Sequence, residues 1–169
     1  MSKEIPLTRG LFALVDDEDF AEISRHKWHA MSNGRRGDRP RFVAARGITM
    51  DGKRSTLLMH RVIASAADGQ EVDHRNRNPL DNRRSNLRIA SRNQNVWNKA
   101  SVPNRNGFRG VHQHRQKYRA EICAFGSVYR SKSFASPEDA ARAYDQLAAT
   151  HHGAFAVLNF PTPPQEAAA

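Results

Sequence analysis

Residues 72–95 read VDHRNRNPLDNRRSNLRIASRNQN and contain six asparagines, six arginines and a single histidine. A segment with so many amide and guanidinium groups cannot bury an apolar core. At its head, a carboxylate and an imidazole stand on neighbouring residues, Asp73 and His74. Such a pair is most often a surface ion pair or part of a capped turn, so its meaning depends on the residues that follow.

Two short strands and a helix are predicted around this segment. The first strand covers 71–74 and ends at the Asp-His pair, and a polar loop then leads to a second strand over 86–90. Ser91 can cap a helix that runs to about Lys99. The expected unit is therefore strand, loop, strand and helix.

The predicted helix offers a second oxygen ligand. Asn95 lies one turn beyond Ser91, so its amide oxygen can point back at the strand that carries Asp73. A carboxylate and an amide oxygen are hard ligands that suit Mg²⁺, which keeps positions for water and substrate phosphate. His74 lies on the opposite strand face, where a neutral imidazole is a suitable base for deprotonating water.

Here the sequence resembles the HNH family of nucleases, with their ββα-metal fold. The matching residues are Asp73-His74, Asn86 before Leu87, and Asn95 in the place of the family's final histidine. The pattern looks most like homing endonucleases of phages and mobile introns. The resemblance implies that Asp73 and Asn95 bind Mg²⁺ (or Mn²⁺) with the scissile phosphate. It also implies that His74 is the general base and Asn86 a catalytic-site residue that bonds the loop backbone. No zinc is expected.

Other polar residues of this region have two interpretations. Asn82 either forms an Asx turn or orients His74, and His60 either packs in the interior or reaches the phosphate or the active site. The arginines of the loop and second strand are either a solvated face or contacts to DNA phosphates, which position DNA without reading it. Those arginines are Arg75, Arg77, Arg83, Arg84 and Arg88.

The preceding region reads as a small β-rich part. Strands are expected at 11–15, 27–31, 41–48 and 55–58, with a short helix at 16–26 and helical composition at 60–67. Asp51-Gly52 is a two-residue hairpin signal. Together with the HNH segment, whose core motif is 71–99, this part forms a predicted domain over 1–100.

After a Pro, Asn and Gly linker at 101–107, three strands are predicted at 108–114, 118–123 and 127–134. A helix follows, with Ser136 as N-cap, Pro137 at its first position and an alanine stripe that can lie close on a sheet. His151 and His152 in its last turn are expected to be solvated. The tail, 162–169, is expected to be disordered.

This second region resembles the plant APETALA/ethylene-response-factor DNA-binding domain over 108–161. The matches include Phe108-Arg109-Gly110-Val111, 140–145 and Asn159-Phe160-Pro161. The resemblance implies a three-stranded antiparallel sheet whose exposed face enters the major groove, with one helix packed behind. Candidates for that DNA face are Arg109, Arg119, Glu121, Arg130 and Lys132. His112, His114, Cys123 and Arg130 stand where the plant pattern has other Arg and Trp residues, so its target sequence does not carry over.

The charge is consistent with a nucleic-acid partner. Segments 1–59, 60–104 and 105–160 carry +3, +4 and +4, and Glu166 brings the sum to +10. A folded, evenly basic protein most often binds a polyanion, because neutralised phosphates release counterions. One cysteine excludes an internal disulfide, and no apolar run is long enough to span a membrane. A cytoplasmic location, in a bacterium or a phage-infected cell, is expected.

The sequence therefore predicts an α+β protein: a β-rich part with a ββα-metal nuclease core, then a three-stranded antiparallel sheet packed on one helix. The predicted function is a site-specific, metal-dependent endonuclease of the HNH homing type, acting on double-stranded DNA as a monomer or homodimer. One alternative is a DNA-binding regulatory protein with an inactive HNH segment. Another is an RNA nuclease, against which the predicted major-groove sheet argues.

Overall fold

A computed structural model describes residues 1–34, 41–50, 52–99 and 104–161. The chain divides into two compact units, Met1–Ser91 and Arg92–Ala169. Both contain strands and helices, which confirms the α+β class. The domain boundary at 101–107 stays a prediction. The whole of the expected disordered tail, 162–169, and Asp51 of the hairpin signal lie outside the described residues. Among the helices that are described, none is long and apolar enough to cross a membrane.

Two small antiparallel sheets build the first part of the first unit. Strands β1 (Ser2–Pro6) and β2 (Phe12–Asp16) form a hairpin, joined by a 3₁₀ turn at Thr8–Gly10. Strands β3 (His29–Ser32), β4 (Phe42–Met50) and β5 (Lys53–Leu58) form a sheet in that order. Strand β1 was missed from the sequence because only one of its five residues is buried and it ends on proline.

Two short helices cover these sheets. Helix α1 (Asp17–Ile23) begins with three acidic residues, which favour the positive end of its dipole. Helix α2 (Met59–Ile63) is shorter than the helical composition of 60–67 indicated. The core of the unit consists of apolar side chains from both helices, from the surrounding strands and from the segment before β3: Ile5, Ala13, Val15, Ile23, Trp28, Ala44, Met59, Ile63, Val72 and Leu87.

Residues 71–90 contain a two-stranded antiparallel sheet. Strands β6 (Glu71–His74) and β7 (Leu87–Ala90) flank the polar loop. The loop is attached to β2 through Leu14, whose N–H donates to the Leu80 carbonyl and whose carbonyl accepts from Asn82 N–H, both at 2.8 Å. A loop with so few apolar residues is thus fixed by backbone hydrogen bonds to a buried strand.

Helix α3 (Arg92–Trp97) opens the second unit. Strands β8 (Val111–His114), β9 (Lys117–Ala124) and β10 (Ser127–Phe134) form an antiparallel sheet in the order β10-β9-β8. Helix α4 (Pro137–His152) packs on this sheet through fully buried alanines, and the Ser136 hydroxyl accepts from the Asp139 N–H as an N-cap. The alanine stripe allows the helix to lie close to the strands.

Strand β8 begins three residues later than the predicted 108–114. Gly110 has a φ of +65°, and a Cβ built on it would lie 2.1 Å from Cε2 of Tyr144 on α4. The backbone therefore turns at Gly110 and approaches the helix before the strand starts. Only glycine permits both this conformation and this contact.

The expectation that both histidines at the end of α4 are solvated is wrong for His152. This side chain is 6% exposed, and its ring stacks on that of Trp97 with 4.3 Å between centroids. His151 is half-buried and stacks on Tyr129 at 3.7 Å. The last turn of α4 is thus covered by aromatic neighbours.

Candidate functional site

The Asp-His pair lies at the buried end of β6. Asp73 and His74 are 5% and 9% exposed, and as neighbours on a strand their side chains leave opposite faces. Arg88 stands opposite Asp73 in the strand register, and its Nε and one terminal nitrogen lie 2.7 and 2.6 Å from the Asp73 Oδ2. The Arg88 side chain, predicted to contact phosphate, is thus held in a buried ion pair with the predicted metal ligand.

Asn82 lies beside His74 and is fully buried. Its Nδ2 donates to the Leu80 carbonyl at 3.2 Å, so its Oδ1 faces the imidazole, at 3.5 Å from His74 Nε2. An oxygen acceptor at this nitrogen favours the tautomer in which Nε2 carries the proton. Nδ1 then carries the lone pair. This geometry corresponds to the interpretation in which Asn82 orients His74.

His60, on α2, also contacts His74. The two rings meet edge to face with 5.1 Å between centroids. Burial, together with the nearby His74 and Arg61, lowers the pKa of His60 from 6.5 to about 4. Burial also lowers the pKa of His74, against the opposing effects of the Asn82 hydrogen bond and the Asp73 charge. Both imidazoles are therefore neutral at pH 7, which is the state that a general base requires.

A set of amide and carboxylate contacts fixes the loop between β6 and β7. Asn86 Nδ2 donates to the Asp81 carbonyl at 2.7 Å, and Asn86 Oδ1 accepts from the Asn76 N–H at 2.9 Å. The Asp81 carboxylate accepts from Asn76 Nδ2 at 2.7 Å and from two nitrogens of Arg83 at 2.8 and 2.7 Å. Hydrogen bonds from Arg83 lower the pKa of Asp81 despite its burial. The loop thus has a defined shape without an apolar core of its own.

The loop arginines fall into two groups. Arg83 and Arg88 are bound to Asp81 and Asp73, and Arg84 donates to both oxygens of Asp19 at 2.9 and 2.6 Å. Arg75 and Arg77 are exposed, and within the described residues neither forms an ion pair. Of the five arginines at 75, 77, 83, 84 and 88, only Arg75 and Arg77 have no carboxylate partner among the described residues.

The carboxylates around Arg84 form the one described group of three or more acidic, histidine or cysteine side chains that could hold a metal: Asp16, Glu18 and Asp19. Arg84 lies among them, with its backbone N–H on Asp16 at 2.7 Å and its Nε 3.1 Å from Glu18. These carboxylates are therefore partners of Arg84, and no metal site is assigned to them.

Asn95 lies on α3, half-buried, and belongs to the second unit. Its pairing with Asp73 in a metal site stays a prediction, as do the catalytic roles of His74 and Asn86. The donor chemistry fits the expected ion, because a carboxylate and an amide oxygen are the hard ligands that Mg²⁺ and Mn²⁺ accept.

The sheet of the second unit has a polar face turned away from α4. Ala120 and Ile122 of β9 are buried under the helix, so Arg119 and Glu121, which alternate with them along the strand, lie on the opposite face. Arg130 stands opposite Glu121 in the register and donates to its carboxylate at 2.8 Å. Lys132 is exposed at an irregularity of β10, where the register shifts between Arg130 and Ser133. DNA contact by these residues stays a prediction.

Arg109 differs from the other DNA-face candidates. It precedes β8, and its Nε donates to the Tyr144 hydroxyl of α4 at 2.8 Å. Its terminal nitrogens donate to the carbonyls of Lys99 and Trp97 at 2.6 and 3.1 Å. The guanidinium is therefore engaged within its own unit. His112, opposite Arg119 in the register, is exposed and was noted in the sequence only as a departure from the plant pattern.

Part of the chain is similar to a known protein family. Residues 57–97 match the model of an HNH endonuclease family, which covers α2, β6, the loop, β7 and α3. The match includes His60, which sequence reasoning had left between a packing role and a role in the site. This similarity supports a nuclease.

A particular relative extends the similarity. The chain is 27% identical over 157 residues to an uncharacterized HNH endonuclease of Acanthamoeba polyphaga mimivirus, covering 89% of this chain and 76% of the viral protein. At that coverage the similarity reaches well beyond residues 57–97 on both sides. No solved structure matches the chain. The resemblance of 108–161 to the plant domain stays a prediction.

Proposed function

We propose that this protein is a metal-dependent endonuclease of the HNH homing type that cuts double-stranded DNA with His74 as the general base. The observation that carries the proposal is the setting of His74. Its imidazole is neutral, held by Asn82 at Nε2 and placed directly after the buried carboxylate of Asp73. A neutral, oriented imidazole beside a hard ligand is what hydrolysis of a phosphodiester requires.

In this proposal His74 accepts a proton from the attacking water at Nδ1, while Asn82 keeps Nε2 protonated. His60 supports the His74 ring edge to face and, because its pKa is about 4, adds no positive charge there at neutral pH. Asn86 shapes the loop that carries Asn82 by bonding two backbone groups. Each residue thus acts on the position or the protonation of one imidazole.

Asp73 and Asn95 would hold the metal, with Mg²⁺ as the first candidate and Mn²⁺ as a substitute. When bound, such an ion stabilises negative charge on the phosphate and the leaving oxygen. Arg88 limits the negative charge that Asp73 presents, because the pair is buried and its bonds are short. The donor oxygens are nevertheless of the kind these ions prefer.

DNA recognition is proposed for the exposed face of the second sheet and for the loop. Arg119, Glu121 and Arg130 supply the donors and acceptor that read base edges in a major groove. Arg75 and Arg77 supply exposed charges for backbone phosphates. Lys132 adds a further exposed charge at the edge of the sheet.

The test uses supercoiled plasmid that carries DNA from the neighbourhood of the protein's own gene, incubated with Mg²⁺ or EDTA. Nicked product is expected only with metal and only with intact His74, so His74→Ala should be at least about a hundredfold slower, the usual contribution of a general base. The matched control is His26→Ala, an exposed histidine in the same unit. Tight binding by the wild type with no metal-dependent nicking would overturn the proposal.

A DNA-binding regulator with an inactive site is the second candidate. The Arg88 ion pair favours it, since an arginine already occupies the predicted metal ligand. The same plasmid assay separates the two, because a regulator retains sequence-dependent binding in EDTA and gains no nicking when Mg²⁺ or Mn²⁺ is added. Arg119→Ala should weaken site recognition in either case and leave any nonspecific nicking in place.

A further inference from the structure

The C-terminal end of α3 is bound by a single arginine, Arg109, which lies just before β8 in the same unit. Arg109 donates one terminal nitrogen to the Trp97 carbonyl and the other to the Lys99 carbonyl. Helix termini leave carbonyls without partners inside the helix, and a cation at this end also opposes the dipole. A six-residue helix is too short to be stable alone, so contacts of this kind decide whether it forms.

Arg109 is itself held in place from both sides of its backbone. Its N–H donates to Asn159 Oδ1 at 2.7 Å, and its carbonyl accepts from Asn159 Nδ2 at 3.2 Å. Asn159 is in turn fixed by the Asp145 carboxylate of α4, which accepts from the Asn159 N–H at 2.7 Å. The guanidinium that binds α3 is therefore anchored to the long helix of the unit.

The side chain of Trp97 gives α3 a second anchor. Its ring lies in parallel contact with His152 of α4 and edge to face with Phe125, with 5.1 Å between those centroids. His152 Nε2 lies 3.0 Å from the Cys123 carbonyl, so the stacked imidazole is fixed to β9. Aromatic stacking and a charged hydrogen-bond donor thus act on the same end of the same helix.

We propose that Arg109 is a positioning residue of the nuclease: it holds α3, and with it Asn95, and does not contact DNA. The residues matched by the HNH family model end at 97, the last residue of the helix that Arg109 binds. The second unit is then a structural part of the nuclease segment, and not only a DNA-reading module attached to it. The link from α3 to metal binding rests on the function proposed above, whereas the link from Arg109 to α3 does not.

Two substitutions separate this role from DNA contact. Arg109→Lys keeps the charge, but a lysine ammonium cannot reproduce the three hydrogen bonds that the planar guanidinium donates to separate oxygens. Arg109→Met removes the charge and keeps much of the apolar part of the side chain. The matched control is Arg119→Lys with Arg119→Met, on the exposed face of β9. The measurements are amide hydrogen exchange of the metal-free full chain, duplex affinity in EDTA, and the dependence of nicking on Mn²⁺ concentration.

Amide exchange in α3 should rise about tenfold or more in both Arg109 variants, the fold-change given by loss of one charged hydrogen bond. The reporting amides are those of Asn98 and Lys99, which directly follow α3 and donate to the carbonyls of Gln94 and Val96 within it. Exchange in α4 should change much less. The half-saturating Mn²⁺ concentration should rise, while the duplex affinity of Arg109→Lys stays at the wild-type value. The Arg119 variants should show the reverse, with weaker duplex binding and unchanged exchange in α3.

Unchanged exchange in α3 together with weaker duplex binding in the Arg109 variants would overturn the proposal and make Arg109 a DNA contact. Equal increases in α3 and α4 would also overturn it, because Arg109 would then support the whole unit. Tyr144→Phe, which removes one partner of the Arg109 guanidinium and leaves the α3 carbonyls, provides a milder variant that should raise α3 exchange less. If the wild type does not nick DNA, the proposed function fails, but the exchange result still decides the role of Arg109.

Discussion

Replacing Asn86 by alanine tests whether the loop between β6 and β7 is shaped by one side chain. The substitution removes the donor to the Asp81 carbonyl and the acceptor of the Asn76 N–H. The first bond is buried, so leaving the Asp81 carbonyl without a donor lowers the free energy of unfolding by about 1–3 kcal/mol. The second is only partly buried, and water can replace it at a cost of about 0.5–1.5 kcal/mol. The expected loss is therefore roughly 1.5–4.5 kcal/mol, a large part of the stability of an ordinary domain.

The free energy of unfolding is measured by urea denaturation, and nicking is measured well below the melting temperature of each variant. The control is Asn78→Ala, an exposed asparagine of the same loop whose amide oxygen accepts one N–H, from Leu80. Asn78→Ala should cost less than about 1 kcal/mol, because water reaches the group it leaves. Nicking should fall in Asn86→Ala, since the loop that carries Asn82 loses its shape.

Two results would refute this reasoning. An unfolding free energy of Asn86→Ala within about 0.5 kcal/mol of the control would mean that the two hydrogen bonds do not stabilise the loop. Full loss of nicking at unchanged stability would place Asn86 in the chemistry itself. Asn86→Asp distinguishes these further, because it keeps an acceptor for Asn76 but sets a carboxylate oxygen against the Asp81 carbonyl.

Two further predictions concern the fold of each unit. Gly110→Ala should destabilise the second unit by about 2–5 kcal/mol, from the left-handed conformation and the clash with Tyr144. The control is Gly126→Ala, at a φ of +79° with no atom within 4 Å of the added Cβ, which should lose only the stability that the left-handed conformation costs alanine. Equal melting temperatures for the two variants would contradict the clash with Tyr144. Stability of the first unit should fall by about 3 kcal/mol as pH drops from 6.5 to about 4, because the unfolded chain protonates His60 there and the folded chain does not. Urea titrations of wild type and His60→Gln across this range check it, and an unchanged slope in the variant would exclude His60 as the cause.

Local pattern predicted the elements whose periodicity is strong. Strands β6 and β10 and helix α4 have the expected bounds, because alternation, capping and the Pro137 position all act within a few residues. The late start of β8 could not be predicted, since it follows from the approach of Gly110 to a helix more than thirty residues later. His152 was misread for the same reason: its cover comes from Trp97, on a different helix.

The HNH segment shows why counting arginines overstates contact with DNA. Three of its arginines, Arg83, Arg84 and Arg88, are bound to carboxylates within the fold, and a paired guanidinium adds little to the field that attracts phosphate. The partner of Arg83 is two residues away and could be seen in the sequence, whereas that of Arg84 is 65 residues away and could not. Charge summed along a sequence includes these internal pairs, but counterion release depends on the charges that reach phosphate. DNA binding by this segment should therefore depend on Arg75 and Arg77, while the paired arginines determine the shape of the loop on which those two are placed.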